Sequence, residues 1–183
     1  MRNDQHCDYI WCKTDLMKRI ILINGLIAGI FIPLVMGLVI LIAGKEGGLT
    51  EIAGFASMII ALSTIYLGMR QYRDRIQAGQ LTFLQGLKIG LLITLVASGI
   101  YVFSWALYYY FGSGQEMMDQ YFQQQVDQIN QSGGDGAVQE RLASVERMRA
   151  SYGKPWVLIA YTFMEIFPVG LIITLIAALI NRR

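Results

Sequence analysis

Four long apolar runs constrain this chain more than any other feature. The first, Ile20 to Ala43, holds 24 residues without a charge. At ~1.5 Å of rise per residue, a helix of that length crosses a hydrocarbon core of about 30 Å. Ile52 to Met69, Ile89 to Phe111 and Trp156 to Ile180 meet the same test, and only the last contains a charge, Glu165. Lipid as solvent also accounts for the composition, which is 55% hydrophobic and 15% charged, with the charges gathered between the runs. The first run exceeds a signal-peptide core and is not followed by a small-residue cleavage site of the usual kind, so it reads as a retained anchor.

The expected fold is an all-α membrane protein, a four-transmembrane-helix antiparallel bundle with an extracytoplasmic helical hairpin between helices 3 and 4. Residues 1–19 are expected to form a cytoplasmic tail and 20–183 a single transmembrane domain, with spans at about 20–43, 52–69, 89–111 and 156–180. The orientation follows from the basic residues, which are retained on the cytoplasmic side near the ends of spans. Ten of them fall on one side: Arg2, Lys13, Lys18 and Arg19, then Arg70, Arg73, Arg75 and Lys88, then Arg182 and Arg183. Five fall on the other: Lys45, Arg141, Arg147, Arg149 and Lys154. Both termini are therefore placed in the cytoplasm, with Arg70, Arg73 and Arg75 as the topology-determining cluster. The rings of Tyr101, Trp105, Tyr108, Tyr109, Tyr110, Phe111 and Trp156 collect near the opposite interface, where aromatic belts lie.

Membrane helices associate where small residues let backbones approach. Gly25 and Gly29 have that spacing on the first span, Gly86 and Gly90 at the start of the third, and Ala53, Ser57 and Ala61 along the second. Such faces suit a compact bundle or a homodimer seam. The short link from Gly44 to Glu51 predicts an antiparallel hairpin of the first two spans, with Thr50 as a cap for the second. The stretch Gly90–Ala97 is echoed by Gly170–Ala177 in a span running the other way, the relation found in inverted repeats, although runs of so few residue types match easily by chance.

Residues 112–155 are too many for a structureless loop. Met118, Tyr121, Phe122 and Ile129 recur at helical spacing, as do Val138, Leu142, Val145 and Tyr152, and the segment Ser132 to Gly136 reads as the turn between them. The first arm carries Glu116, Asp119, Asp127 and Asp135, while the second carries Arg141, Arg147, Arg149 and Lys154 against Glu140 and Glu146. Two solvated amphipathic helices with opposite charge account for this pattern, and a docking platform for a partner is the functional alternative.

Glu165 is the residue singled out for chemistry. It lies about 14 Å along the helix from Trp156, near the middle of the bilayer. A carboxyl there is expected to face the bundle, bind a partner or stay protonated, because desolvation disfavours the charged form. Pro168 has no N–H for the carbonyl of Met164, which predicts a kink, and Pro33 lies at a similar depth on the first span. Ser57 on the second span and Ser98 with Tyr101 on the third complete a candidate intramembrane polar layer. Two readings stay open, a proton- or cation-coupled carrier that titrates Glu165 and a carboxyl that hydrogen-bonds two helices together.

Other chemistry finds little support. His6, Cys7 and Cys12 lack a fourth metal ligand, so no metal is expected. No span contains a histidine to ligate haem, and no hydrolase motif is present, so no catalytic residue and no cofactor is assigned and the chain is expected not to be an enzyme. A net charge of +2 gives no reason to expect nucleic acid. The expected partners are the lipid bilayer and either further copies of the chain or another membrane protein.

Taken in order, Gly54-Phe55-Ala56-Ser57-Met58, Gly68-Met69-Arg70-Gln71-Tyr72-Arg73-Asp74, then Phe83, Gly86, Lys88, Gly90, Tyr101 and Trp105, and finally Glu165-Ile166-Phe167-Pro168-Val169-Gly170-Leu171, form a recognisable pattern. It resembles a family of small four-helix bacterial membrane proteins, found chiefly in the Bacteroidetes, catalogued as domain of unknown function 4199. The likeness runs from Ile20 onward and leaves out the tail before Lys18. It implies a bacterial inner-membrane location and supplies no activity. The function expected is that of a non-enzymatic membrane component presenting its bundle or hairpin to partner proteins, with the small carrier as the alternative.

Overall fold

The computed structural model describes residues 4–43, 48–131 and 137–182. Every regular element among them is an α-helix: α1 (Asp4–Ala43), α2 (Gly48–Leu62), α3 (Thr64–Ile76), α4 (Phe83–Phe111), α5 (Gly114–Gln131), α6 (Ala137–Tyr152) and α7 (Pro155–Asn181). Four stretches are long and apolar enough to cross a membrane, Lys13–Val39, Ile52–Ile76, Phe83–Phe111 and Pro155–Asn181. The chain is an all-α membrane protein with a helical hairpin, α5 and α6, between its third and fourth spans.

Some boundaries depart from the expectation. Helix α1 starts at Asp4 rather than at the apolar run, so the tail continues the first span as helix. His6, Cys7 and Cys12 lie on it, with side chains outside the described residues. Helix α2 begins at Gly48, which puts Thr50 inside it rather than before it. The turn expected at Ser132–Gly136 lies outside the described residues.

The second span is broken at Ser63 between α2 and α3. There the Ser63 hydroxyl donates to the Ile60 carbonyl at 2.6 Å and the Thr64 hydroxyl to Ala61 at 2.8 Å. Hydroxyls that compete for helix carbonyls in this way loosen the regular ladder. Helix α3 then continues to Ile76, so Arg70, Arg73 and Arg75 stand on a helix rather than in a loop. Arg73 pairs with Asp74 at 2.8 Å, and Arg70 reaches the same carboxylate at 3.7 Å. The turn after α3 closes by a bond from the Gly79 N–H to the Arg73 carbonyl at 3.0 Å, with Gly79 at φ 87°. Helix α4 opens with a reciprocal cap. The Thr82 N–H donates to Gln85 Oε1 at 3.2 Å and the Gln85 N–H to Thr82 Oγ1 at 3.4 Å.

The chain divides into two compact units, one holding residues up to Tyr101 together with Met164 onward, the other Val102–Phe163. In the first, α1 packs on α2 and α3 around a core that includes Ile32, Met58, Leu62, Ile65, Met69, Ile93 and Ile166. Helix α4 lies against α1 at two glycines. A Cβ at Gly25 would stand 2.7 Å from Val96 Cβ, and one at Gly29 2.7 Å from Ile100 Cβ. No side chain larger than hydrogen fits there without moving α4 away.

In the second unit, α5 and α6 pack together over the end of α4. Tyr109, Phe122, Tyr152 and Leu158 form its buried centre. The Trp105 indole N–H donates to the Tyr152 hydroxyl at 3.1 Å, and the Tyr110 hydroxyl donates to the Gly153 carbonyl at 3.1 Å. Gly114 lets α5 start against the Tyr109 backbone, where a Cβ would come within 2.6 Å of Tyr109 Cα. Of the rings read as an interfacial belt, Tyr109 is therefore buried within this unit and Trp105 and Tyr108 are half-buried, because the hairpin needs apolar surface to rest on. Phe111 and Trp156, at 86% and 69% exposure, do face outward. Between the arms, Arg149 meets Asp119 at 3.0 Å.

Candidate functional site

The candidate polar layer resolves into residues with different surroundings. Ser57 is buried, and its hydroxyl donates to the Gly54 carbonyl one turn back at 2.7 Å. Ser98 is fully buried on α4, and its Oγ has no hydrogen-bond partner among the described residues. Tyr101 is buried one turn further along the same helix. Glu165 does not join them. It is exposed, and it makes no hydrogen bond or ion pair with a described residue, while the next residue, Ile166, is wholly buried. Of the three fates expected for this carboxyl, facing the bundle is the one the fold does not give it.

The reason lies in how α7 meets α4. Thr94 and Thr174 approach to 3.2 Å between their hydroxyl oxygens. Each lies over a glycine of the opposite helix. A Cβ at Gly90 would come within 2.6 Å of Thr174 Cγ2, and one at Gly170 would overlap Thr94 Cγ2. One turn back along α4, Gly86 faces Ala178 at 3.3 Å by the same measure. The echoed stretches Gly90–Ala97 and Gly170–Ala177 are thus laid against each other in antiparallel fashion, related locally by a two-fold axis. Thr94 also donates to the Gly90 carbonyl at 2.9 Å, which occupies its single proton and leaves it the acceptor from Thr174. Once this seam fixes the rotation of α7, the side of the helix that carries Glu165 points away from α4.

Pro33 and Pro168 both lie inside continuous helices. Pro168 is exposed, and it denies the Met164 carbonyl its usual donor, so a backbone acceptor lies beside Glu165 on the helix.

A second polar contact joins α1 and α3 and was not anticipated. Buried Asn24 donates from Nδ2 to the Ile20 carbonyl at 2.8 Å and to Gln71 Oε1 at 3.3 Å. The Thr64 hydroxyl reaches the Asn24 carbonyl at 3.3 Å. Gly68 leaves the room, since a Cβ there would stand 3.3 Å from the Asn24 amide. The signal in the sequence is an amide inside an otherwise apolar run, near its start and so away from the mid-bilayer level of Glu165. A hydrogen-bonded amide between membrane helices is a structural contact, typically worth about 0.6 kcal/mol.

These elements run in the order Gly54, Gly68, Gly86, Gly90, Glu165, Pro168 and Gly170, and the family model described as "Protein of unknown function (DUF4199)" matches residues 23–183. The chain belongs to that family. No curated protein and no solved structure matches it. As a DUF4199 protein it takes no activity from its family, so its function is argued from its own geometry.

Proposed function

We propose that this DUF4199 protein is a non-enzymatic component of the bacterial inner membrane that presents its helix bundle or its hairpin to partner proteins. Both termini lie in the cytoplasm and the hairpin on the other side, as the excess of basic residues around Arg70, Arg73 and Arg75 supports. One observation carries the reading. A mid-span carboxyl, Glu165, is exposed on the outside of its helix without a partner among the described residues. Ionisable groups in hydrocarbon are costly and are held where another polar group pairs with them, and for Glu165 no described residue of this chain supplies that group, which favours one from a partner. A carrier needs its titrating group on a path through the bundle, with helices that expose it to each side in turn. The outward placement supports the partner reading over that one.

Crosslinking in native membranes followed by mass spectrometry tests it. Adducts that map to the exposed face of α7 or to α5 and α6 are expected. Proteoliposomes that show proton or cation flux, lost in a folded Glu165→Gln variant, would instead establish the carrier.

A further inference from the structure

We propose that the partner at Glu165 is a second copy of this chain, two α7 helices meeting along the face that carries the carboxyl, with the paired Glu165 groups bonded to each other across a two-fold axis normal to the membrane. This rests on the reading of the chain as a partner-presenting component and names the partner. The inference comes from depth and from chemistry. A second copy inserts with the same topology, so its Glu165 arrives at the same level in the bilayer, whereas any other partner must supply a matching group at that level. A closed two-fold interface also requires the patch to complement itself. A carboxyl satisfies this, because in the acid form it both donates and accepts a hydrogen bond, so two of them satisfy one another without any other polar group. The Met164 carbonyl, left without its helical donor by Pro168, gives each copy a further acceptor beside the acid.

The apolar pattern around the carboxyl fits a helix partner. Glu165, Ile172 and Leu179 recur every seven residues, all exposed, the last two at 57% and 60%, with exposed Pro168 and Leu175 between them. That repeat keeps one face in line along two helices that cross at a shallow left-handed angle. Helix α7 is also the least enclosed span, with 28% of its apolar window buried against 33–44% for the others. The seam through Gly90, Thr94, Gly170 and Thr174 uses a different side of α7, so the two contacts do not compete.

Disulfide trapping of the full-length protein in its native membrane tests this. In a Cys7→Ser, Cys12→Ser background, Ile172→Cys and Leu179→Cys are compared with Ile59→Cys, an equally exposed position on α2. Oxidation should give a dimer of twice the chain mass from positions 172 and 179 and at least about tenfold less from position 59. Adding Glu165→Leu should lower the dimer yield at 172 by about tenfold, while Glu165→Gln, whose amide also donates and accepts, should keep it. The monomer's thermal unfolding should be the same in both variants. Equal dimer yields at 59 and 172, or a yield at 172 indifferent to Glu165→Leu, would overturn the proposal. An adduct of another mass at 172 would overturn it while leaving the partner-presenting function standing. Monomer at every position, with no adduct of any kind, would remove both.

Discussion

Thr94 and Thr174 hydrogen-bond across α4 and α7 at 3.2 Å, each seated over a glycine of the other helix. The pair sets the register and the rotation of the last span, and everything that α7 presents outward follows from it. Replacing either threonine by valine keeps the shape and removes the bond. Thr94→Val or Thr174→Val should each lower stability in detergent by about 0.5–1.5 kcal/mol, and the double variant should cost less than the two added together, because the second change removes nothing further across the seam. Thermal unfolding of the three variants measures this.

Backbone approach is the stronger constraint. Gly25→Leu and Gly90→Leu insert side chains where a Cβ alone would already collide with Val96 or Thr174, and each should cost about 1–3 kcal/mol or more. Gly99→Leu is the control, since nothing lies within 4 Å of a Cβ there, and it should stay within about 0.5 kcal/mol of the parent. The same unfolding assay separates them.

In the hairpin unit, Tyr152→Phe strands the Trp105 indole N–H in a partly buried setting. Faster amide exchange along α5 and α6 is expected, equivalent to about 1–3 kcal/mol of lost protection. By contrast, Arg149→Ala breaks an exposed ion pair with Asp119 and should change the same protection by less than about 1 kcal/mol, with the difference vanishing at high salt.

The start of α4 depends on its reciprocal cap. Thr82→Ala should destabilise the protein by about 1 kcal/mol and raise protease sensitivity at Ala78 and Gly79. Thr82→Ser, which keeps the acceptor, should not.

The four spans were legible because lipid leaves a long charge-free run no alternative to helix, and the hairpin because Phe122 and Tyr152 sit in helical periodicity within a polar stretch. The depth of Glu165 was equally legible, since it needs only a count of residues along a helix. Its direction was not. Rotation about a helix axis is decided by which face packs, and α7 is apolar on every side, so hydrophobicity carries no phase information there. The phase was held instead in Gly170 and Thr174, whose likeness to Gly90 and Thr94 invited a reading as duplication when its physical content is a fit between two helices. The break at Ser63 was hidden for another reason. Serine and threonine occur within membrane helices without harm, and only the local competition of two adjacent hydroxyls for carbonyls marks this one. The contact of Asn24 was not legible because its partner, Gln71, lies beyond the end of the second apolar run, and only the extension of α3 to Ile76 brings the two side chains together.

The outward placement of Glu165 is the claim on which the functional account depends, and paired cysteines test it most directly. The register through Gly86, Gly90 and Thr94 puts Ile166 opposite Ser98, both wholly buried. In the Cys7→Ser, Cys12→Ser background, Ser98→Cys is combined with Ile166→Cys or with Glu165→Cys, and disulfides within one chain are quantified after oxidation in the membrane. The account predicts an intrachain bond between positions 98 and 166 and none between 98 and 165. An intrachain bond to position 165 in place of 166 would put the carboxyl inside the bundle and contradict the account.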